Sequence, residues 1–396
     1  MADRFLSPGV FVREVPQPGP PPITPVDTAI TGFVGGATAG PHDEPVSVAS
    51  WGEFARTFGG VTARSHLGYS VRDYFRNGGR RAIVVRVGDG DGTVADDDVL
   101  GADVPAPRGI HALAISEHLG LVVVPPYGSP GVARRGDPLA AFGVGESVIA
   151  AAVEFAARRR ATAVLDAPLG LDPRSATAAD FAAFPDSPDA AVYAPRVTGA
   201  DPLRPADTVR APSGAIAGLI ARTDATRGVW KAPAGTDAAL AGIGGLEASV
   251  HQHEIEALTQ LRVNALRVAG DGSVLVWGAR TRSTDPTWRY LPVRRTVRFL
   301  EESIERGLAW TVFEPNDANL QARVRAMVER FLDDLFRAGA FRGQSAREAY
   351  TVRADASTTT PADVAAGRLH VLIGVALTAP AEFTVLRLTA RTAVAP

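Results

Sequence analysis

The sequence predicts an α/β chain, α+β over its whole length, with a second αβ unit at its C-terminal end. Three observations carry this. Short apolar runs alternate with amphipathic helical patterns from residue 28 to about 194, the spacing of parallel strands joined by helices. A long amphipathic helix and a group of β-patterned segments follow late in the chain. The 396 residues are 46% hydrophobic and 21% charged, which supports a large core and, at roughly 150 residues per domain, two or three domains.

Residues 7–15, SPGVFVREV, read as a short strand with Val10, Val12 and Glu14 on one face and Phe11, Arg13 and Val15 on the other. Six prolines follow within residues 16–25. They fix φ and remove donors, so this stretch reads as a semi-rigid arm spanning about 30 Å. Such a strand either reaches a neighbouring molecule or folds back on its own domain, and the residues alone leave both open.

Residues 28–36 form an apolar strand running into a glycine turn. Helix 51–58 is capped by Ser50 with Glu53 in capping-box position. Helix 67–77 is stopped by Gly78 and Gly79, and RAIVVRV (81–87) is a buried strand. Residues 89–103 hold six Asp and no basic residue and read as a solvated loop. Strand 120–126, helix 146–159, strand 162–168, a helix near 178–183 and a strand at 191–194 continue the alternation. Residues 198–213 read as a connection, 214–224 as a helix, 274–280 as a strand, 293–306 as a helix and TVFEP (311–315) as a strand. In helix 317–338, Leu320, Val324, Met327, Phe331 and Leu335 make an apolar stripe, supported by Val328, Leu332 and Phe336. Strands at 349–355, 369–377 and 382–392 close the chain, and no repeat of fixed period appears.

Composition removes several functions. Forty-one basic against 43 acidic residues, net −2, argue against a nucleic-acid coat or polybasic membrane anchor. There is no Cys, hence no thiolate metal site. Lys231 is the only lysine and lies outside any GxxxxGK[ST] pattern, which excludes a Walker-A NTPase. No signal peptide and no run of about 18 apolar residues is seen, so assembly in the cytoplasm is the expectation.

Candidate sites each have a structural reading beside the functional one. Gly32, Gly35, Gly36 and Gly40 follow a strand as a phosphate cradle would, but GxGxxG is absent and a structural turn is the better reading. His251, His253 and Glu254 lack a second histidine where Ala257 stands, and the two histidines point apart on a helix. Asp89, Asp91, Asp96, Asp97 and Asp98 do not match a calcium loop. Asp166 ends a strand and with Tyr127 would line a pocket, without a partner to complete a catalytic set. APSGAIAG (211–218) fails the GxSxG pattern. No catalytic, cofactor or metal residue is assigned.

Five segments resemble a known family: APSGAIAGLIARTDATRGVWKAPAG (211–235); VNALRV (263–268) with VLVWGARTRSTDPTWRYLPVRR (274–295); FEPNDANLQARVRAMVERFLDDLFRAGAFRG (313–343); AYTVRADASTTTPADVAAGRLHVLIGVALTAPAEFTVLRL (349–388); and the N-terminal SPGVFVREV with ITGFVGGATAGP and SVRDYFRNGGRRAIVVRV. Together they resemble the contractile tail sheath proteins of phages, R-type tailocins and extracellular contractile injection systems, over about 5–90 and 205–392. Gln321-Ala322 departs from the family, where an aromatic often follows the leucine. The short 89–109 segment replaces the inserted domains of larger sheaths.

The resemblance implies a compact two-domain sheath fold: an arm (1–25), an α/β domain (26–205), a C-terminal domain (206–380) and a terminal strand arm (381–396). It implies a structural subunit, not an enzyme, that stacks as six-membered rings around an inner tube and contracts to drive that tube through a target envelope. Arm strands would complete a sheet in neighbouring subunits: Val10, Phe11, Val12, Arg13, Glu14 and Val15, and Thr384, Val385, Leu386, Arg387, Leu388 and Thr389. Arg323, Arg325 and Arg330 would face the tube. Partners would be further copies, the inner tube protein, baseplate and terminator proteins, with no cofactor, nucleic acid or membrane insertion. The particle, a phage tail or a tail-like one, would be assembled in a bacterial cytoplasm. The alternative is a nucleotide- or sugar-binding α/β enzyme.

Overall fold

A computed structural model describes residues 22–115, 118–127 and 143–380. In chain order the strands are β1 (Thr31–Gly36), β2 (Pro45–Val48), β3 (Ala82–Val87), β4 (Leu121–Val123), β5 (Thr162–Asp166), β6 (Ala190–Ala194), β7 (Val197–Ala200), β8 (Asp207–Arg210), β9 (Gly245–Leu246), β10 (Val263–Val268), β11 (Val274–Val276), β12 (Tyr350–Arg353) and β13 (Leu372–Val375). Eight form the central sheet in the order β11-β10-β6-β5-β4-β1-β3-β2. Its inner pairs are parallel, and antiparallel β2 and β11 close the two edges.

Both faces are buried, as a parallel sheet requires. Along β3, Ile83, Val85 and Val87 enter one core while Ala82 and Val84 enter the other, the two-residue period of a strand. On the first face lie α3 (Asp96–Leu100), α4 (Glu146–Arg158) and α6 (Gln252–Gln260), contributing Val99, Val148 and Leu258. On the second lie α1 (Trp51–Phe58), α2 (Leu67–Arg76) and α5 (Ser213–Arg227), contributing Phe54, Val71 and Ile216. Helices α2 and α5 approach closely because of glycine. A Cβ at Gly214 would stand 2.3 Å from the Ser70 carbonyl oxygen, and one at Gly218 2.3 Å from that of Tyr74.

The C-terminal unit has its own core. Helix α7 (Leu291–Gly307) brings Phe299 and Leu300, and helix α8 (Ala318–Arg337) brings Val328, Phe331, Leu332 and Leu335. The β12–β13 hairpin covers them with Val352, Ile373 and Val375. Asp317 caps α8, its carboxylate accepting the Leu320 N–H at 2.8 Å. Ile23, from the other end of the chain, is buried in this same core.

Several elements depart from expectation. The central sheet runs past a boundary at 205/206, because β10 pairs with β6 and β11 with β10. Residues 198–213 are not a plain connection: β7 pairs with both β8 and β9. The acidic 89–103 stretch contains α3, which tucks Val99 into the core. The 178–183 helix is a 3-10 turn over Ala178–Phe181. TVFEP is not a strand: a 3-10 turn over Ala309–Thr311 gives way to Val312 and a fully exposed Phe313 at φ 72°. Its apolar residues face solvent, so no strand pairing gains from them.

Candidate assembly surfaces

Asp166 and Tyr127, weighed above as pocket residues, make contacts that hold the fold. Asp166, at the end of β5, accepts the Ser213 N–H at 2.8 Å and so anchors the start of α5. Burial pushes its carboxyl up from the ordinary value, opposed by the charge of Arg196. Tyr127 is elsewhere, its hydroxyl donating to Asp96 and accepting the Gly145 N–H at 3.1 Å. His66 is buried beside Arg196 and Arg210, and its pKa is pushed down to about 3, by desolvation first and then by those charges. At neutral pH it is therefore uncharged.

The glycine run serves packing. A Cβ at Gly36 would stand 2.4 Å from the Gly92 carbonyl oxygen, and Gly40, at φ 93°, lies against Phe58. The acidic residues act singly: Asp91 pairs with Arg64, and Asp98 accepts the Ala95 N–H at 2.8 Å. No group of three or more potential ligands that could hold a metal ion is found among the described residues. His251 and His253 do not point apart as expected. His251 lies just outside α6 in extended backbone, so the two rings stack at 6.5 Å. Buried Glu254 accepts the His251 N–H at 2.9 Å.

The C-terminal unit is where the surface is left open. The β12–β13 sheet has only two strands among the described residues, and its inward residues reach the third core while Thr351, Arg353, Leu372 and Gly374 face out. An isolated pair is marginal, and its edges offer unpaired N–H and C=O groups. The expected arm strands at Val10, Phe11, Val12, Arg13, Glu14 and Val15, and at Thr384, Val385, Leu386, Arg387, Leu388 and Thr389, lie outside the described residues.

The root of the first arm is built in detail. Ile23 rests on Gly307, where an added Cβ would stand 2.6 Å from its Cγ1. The Val26 N–H donates to the Ser303 hydroxyl at 3.1 Å, and the Arg295 guanidinium donates to the Thr28 carbonyl at 2.9 Å. Sequence reading missed this anchor, because an isoleucine among prolines carries no periodic signal.

The three arginines of α8 differ. Arg323 lies over the Trp310 ring at 4.6 Å, Arg325 is 3.9 Å from Glu329, and Arg330 is exposed with no ion pair among the described residues.

A second missed feature joins the two units. Asp189, just before β6, accepts bidentate hydrogen bonds from Arg294 (2.7 and 2.9 Å) and from Arg298 (3.2 and 2.9 Å). Burial raises its carboxyl pKa, but these bonds outweigh it and hold the group below its ordinary value. Arg160 adds pairs to Glu302 and Glu305, and Arg295 pairs with Asp224 at 2.7 Å. Arg294 and Arg298 stand one turn apart on α7, a spacing that hinted at a shared partner.

Comparison with known proteins points one way. A family model for the phage tail sheath C-terminal domain matches residues 283–391, beginning where the last strand of the central sheet has ended. A prophage major tail sheath protein of Pseudomonas aeruginosa (strain UCBPP-PA14), described as putative, is 27% identical over 178 residues, 44% of each chain. The tail sheath protein of Enterobacteria phage T4 is 28% identical over 119 residues, 30% of this chain and 18% of that one. The match therefore spans less than half the length of these curated relatives. Solved structures match more fully. The contracted sheath complex of PVC, an extracellular contractile injection system, is 26% identical with a TM-score of 0.76 over 98% of both chains. The contracted helical sheath of the anti-feeding prophage is 28% identical with a TM-score of 0.75 over 96% of this chain and 98% of that one. With the phage sheath domain matched over its C-terminal unit and the injection-system sheath fold shared over nearly its whole length, the chain is similar to the contractile tail sheath proteins.

Proposed function

We propose that this chain is the repeating subunit of a contractile sheath in a phage tail or phage tail-like particle. Copies stack as six-membered rings around an inner tube, and contraction drives the tube through a target envelope. The observation that carries this is the near full-length likeness to the contracted PVC sheath. The role is structural, and the comparisons lend nothing to a nucleotide- or sugar-binding enzyme.

Cohesion comes from strand addition. Residues 10–15 of one copy and 384–389 of another extend the β12–β13 sheet of a third, each new strand closing an open edge with main-chain hydrogen bonds. Twenty-one residues precede the rooted segment and, fully extended, reach roughly 70 Å. That is enough to cross onto an adjacent subunit. Each body moves as one piece, because the Asp189 and Arg160 ion pairs fasten the C-terminal unit to the central sheet.

Deletion of residues 1–22 is expected to abolish striated hollow tubes in negative-stain electron microscopy while leaving the folded monomer. Tubes of normal yield from the deletion would overturn the strand-addition reading.

The tube faces α8 through its basic side chains, Arg330 foremost, since Arg323 and Arg325 already have partners within the subunit. The double variant Arg323→Glu, Arg330→Glu should reduce co-assembly with the inner tube protein at least tenfold at low salt. The loss should shrink as ionic strength rises. Unchanged co-assembly would sink the assignment of this face.

A further inference from the structure

Between the central sheet and the C-terminal unit runs a groove of about 1190 Å³. This exceeds the roughly 300–1,000 Å³ of a small-molecule cleft. Trp230, Ala234, Ile255 and Trp277 supply its apolar lining, with Thr236 and Gln260 among its polar groups. Both tryptophans are only partly covered by the described residues: Trp230 packs against the third core and Trp277 against the first, with Arg267 over its ring, and each keeps an edge exposed to the groove.

The chain itself is delivered into this groove. Thr378, Ala379 and Pro380 form part of its wall. Their path is set by the Phe341–Leu377 bridge and by the Thr378 hydroxyl, 3.4 Å from the Ala340 carbonyl. Sixteen residues, 381–396, follow directly from that wall. Their sequence, AEFTVLRLTARTAVAP, has no proline before position 396 and places Phe383 and Val385 on one face of an extended strand, Leu386 and Leu388 on the other. Left in water, so apolar and β-prone a segment would pair with any open edge, including those of the β12–β13 sheet.

We propose that before assembly this terminal segment lies in the groove of its own chain. There Trp230 and Trp277 cover its apolar side chains, and it leaves only when a neighbouring subunit offers a sheet edge. The proposal rests on the sheath reading for the segment's later destination, not for its docking.

The absence of cysteine makes a direct test clean. Thr236→Cys, an exposed position in the groove lining, is combined in turn with Thr384→Cys, Leu386→Cys and Leu388→Cys in the full chain. A disulfide needs Cα atoms within roughly 7 Å. On mild oxidation of monomer isolated by gel filtration, at least one pair should form an intrachain disulfide in more than half of the molecules. The yield should not depend on protein concentration. The oxidised protein should form no tubes, and reduction should restore them. Absence of crosslinking would overturn the proposal, as would crosslinks only between chains with a yield that rises with concentration. If the intrachain disulfide forms and the reduced full-length chain never makes tubes even with tube and baseplate proteins, docking stands and the sheath reading falls.

Discussion

Asp189→Ala is expected to destabilise the subunit by about 3–5 kcal/mol, the range for breaking a buried ion pair by removing one partner. The carboxylate is almost wholly buried, and two guanidiniums converge on it with four hydrogen bonds. Alanine leaves Arg294 and Arg298 facing each other at the junction of the two units. Asn in place of Asp keeps the shape but not the charge and should fall between. Denaturant midpoints of the monomer measure both, and a loss below about 1 kcal/mol for alanine would mean that the pair behaves as a surface bridge. The pH dependence has a definite sign. Because the folded-state pKa lies below the ordinary carboxylate value of about 3.9, the stabilisation is fully present above that value. It is lost as pH falls through the lower folded-state pKa, so wild type and Asp189→Ala should converge in acid and differ most at neutral pH.

Ile23→Ala should lower stability by about 2 kcal/mol, the low end for such a truncation because the site is at the edge of its core. Its effect on assembly should be far larger. Under the strand-addition proposal, Ile23 is the point from which residues 1–21 reach a neighbour, and a methyl on Gly307 would push against it at 2.6 Å. Both Ile23→Ala and Gly307→Ala are therefore expected to give folded monomers that form few or no tubes. Faster proteolytic cleavage before residue 30 should accompany this. Normal tube yield from both variants would show that the root does not aim the arm.

Much of the fold was legible because its elements follow local rules. The alternation of Ile83, Val84 and Val85 marks a strand buried on both faces, and the stripe from Leu320 to Leu335 marks a core-facing helix. The order of strands was not legible, since β10 joining β6 across some seventy residues leaves no local trace. The β7–β8 hairpin was hidden by proline and charge in its turn, and TVFEP misled because a short apolar run reads the same whether buried or exposed. That Arg323, Arg325 and Arg330 lie off the apolar stripe of α8 followed from helical spacing, whereas their facing a tube was implied only by the family resemblance. The Asp189 clamp and the Ile23 root are long-range contacts, which single-sequence patterns do not encode.

The seating of Ile23 also has a consequence for how the chain is made. It rests on Gly307 and joins a core with Phe299 and the α8 leucines, nearly three hundred residues downstream. At about 5–20 residues per second, translation reaches them roughly 15–60 s after Ile23 itself. By the time Phe299 is made, every strand of the central sheet through β11 has already been synthesised, while Ile23 still lacks its seat. Under the strand-addition proposal, a growing chain on the ribosome could therefore not present residues 10–15 to a neighbour from a seated Ile23. On that proposal recruitment is restricted to finished polypeptides, and the order of synthesis itself would guard against premature polymer.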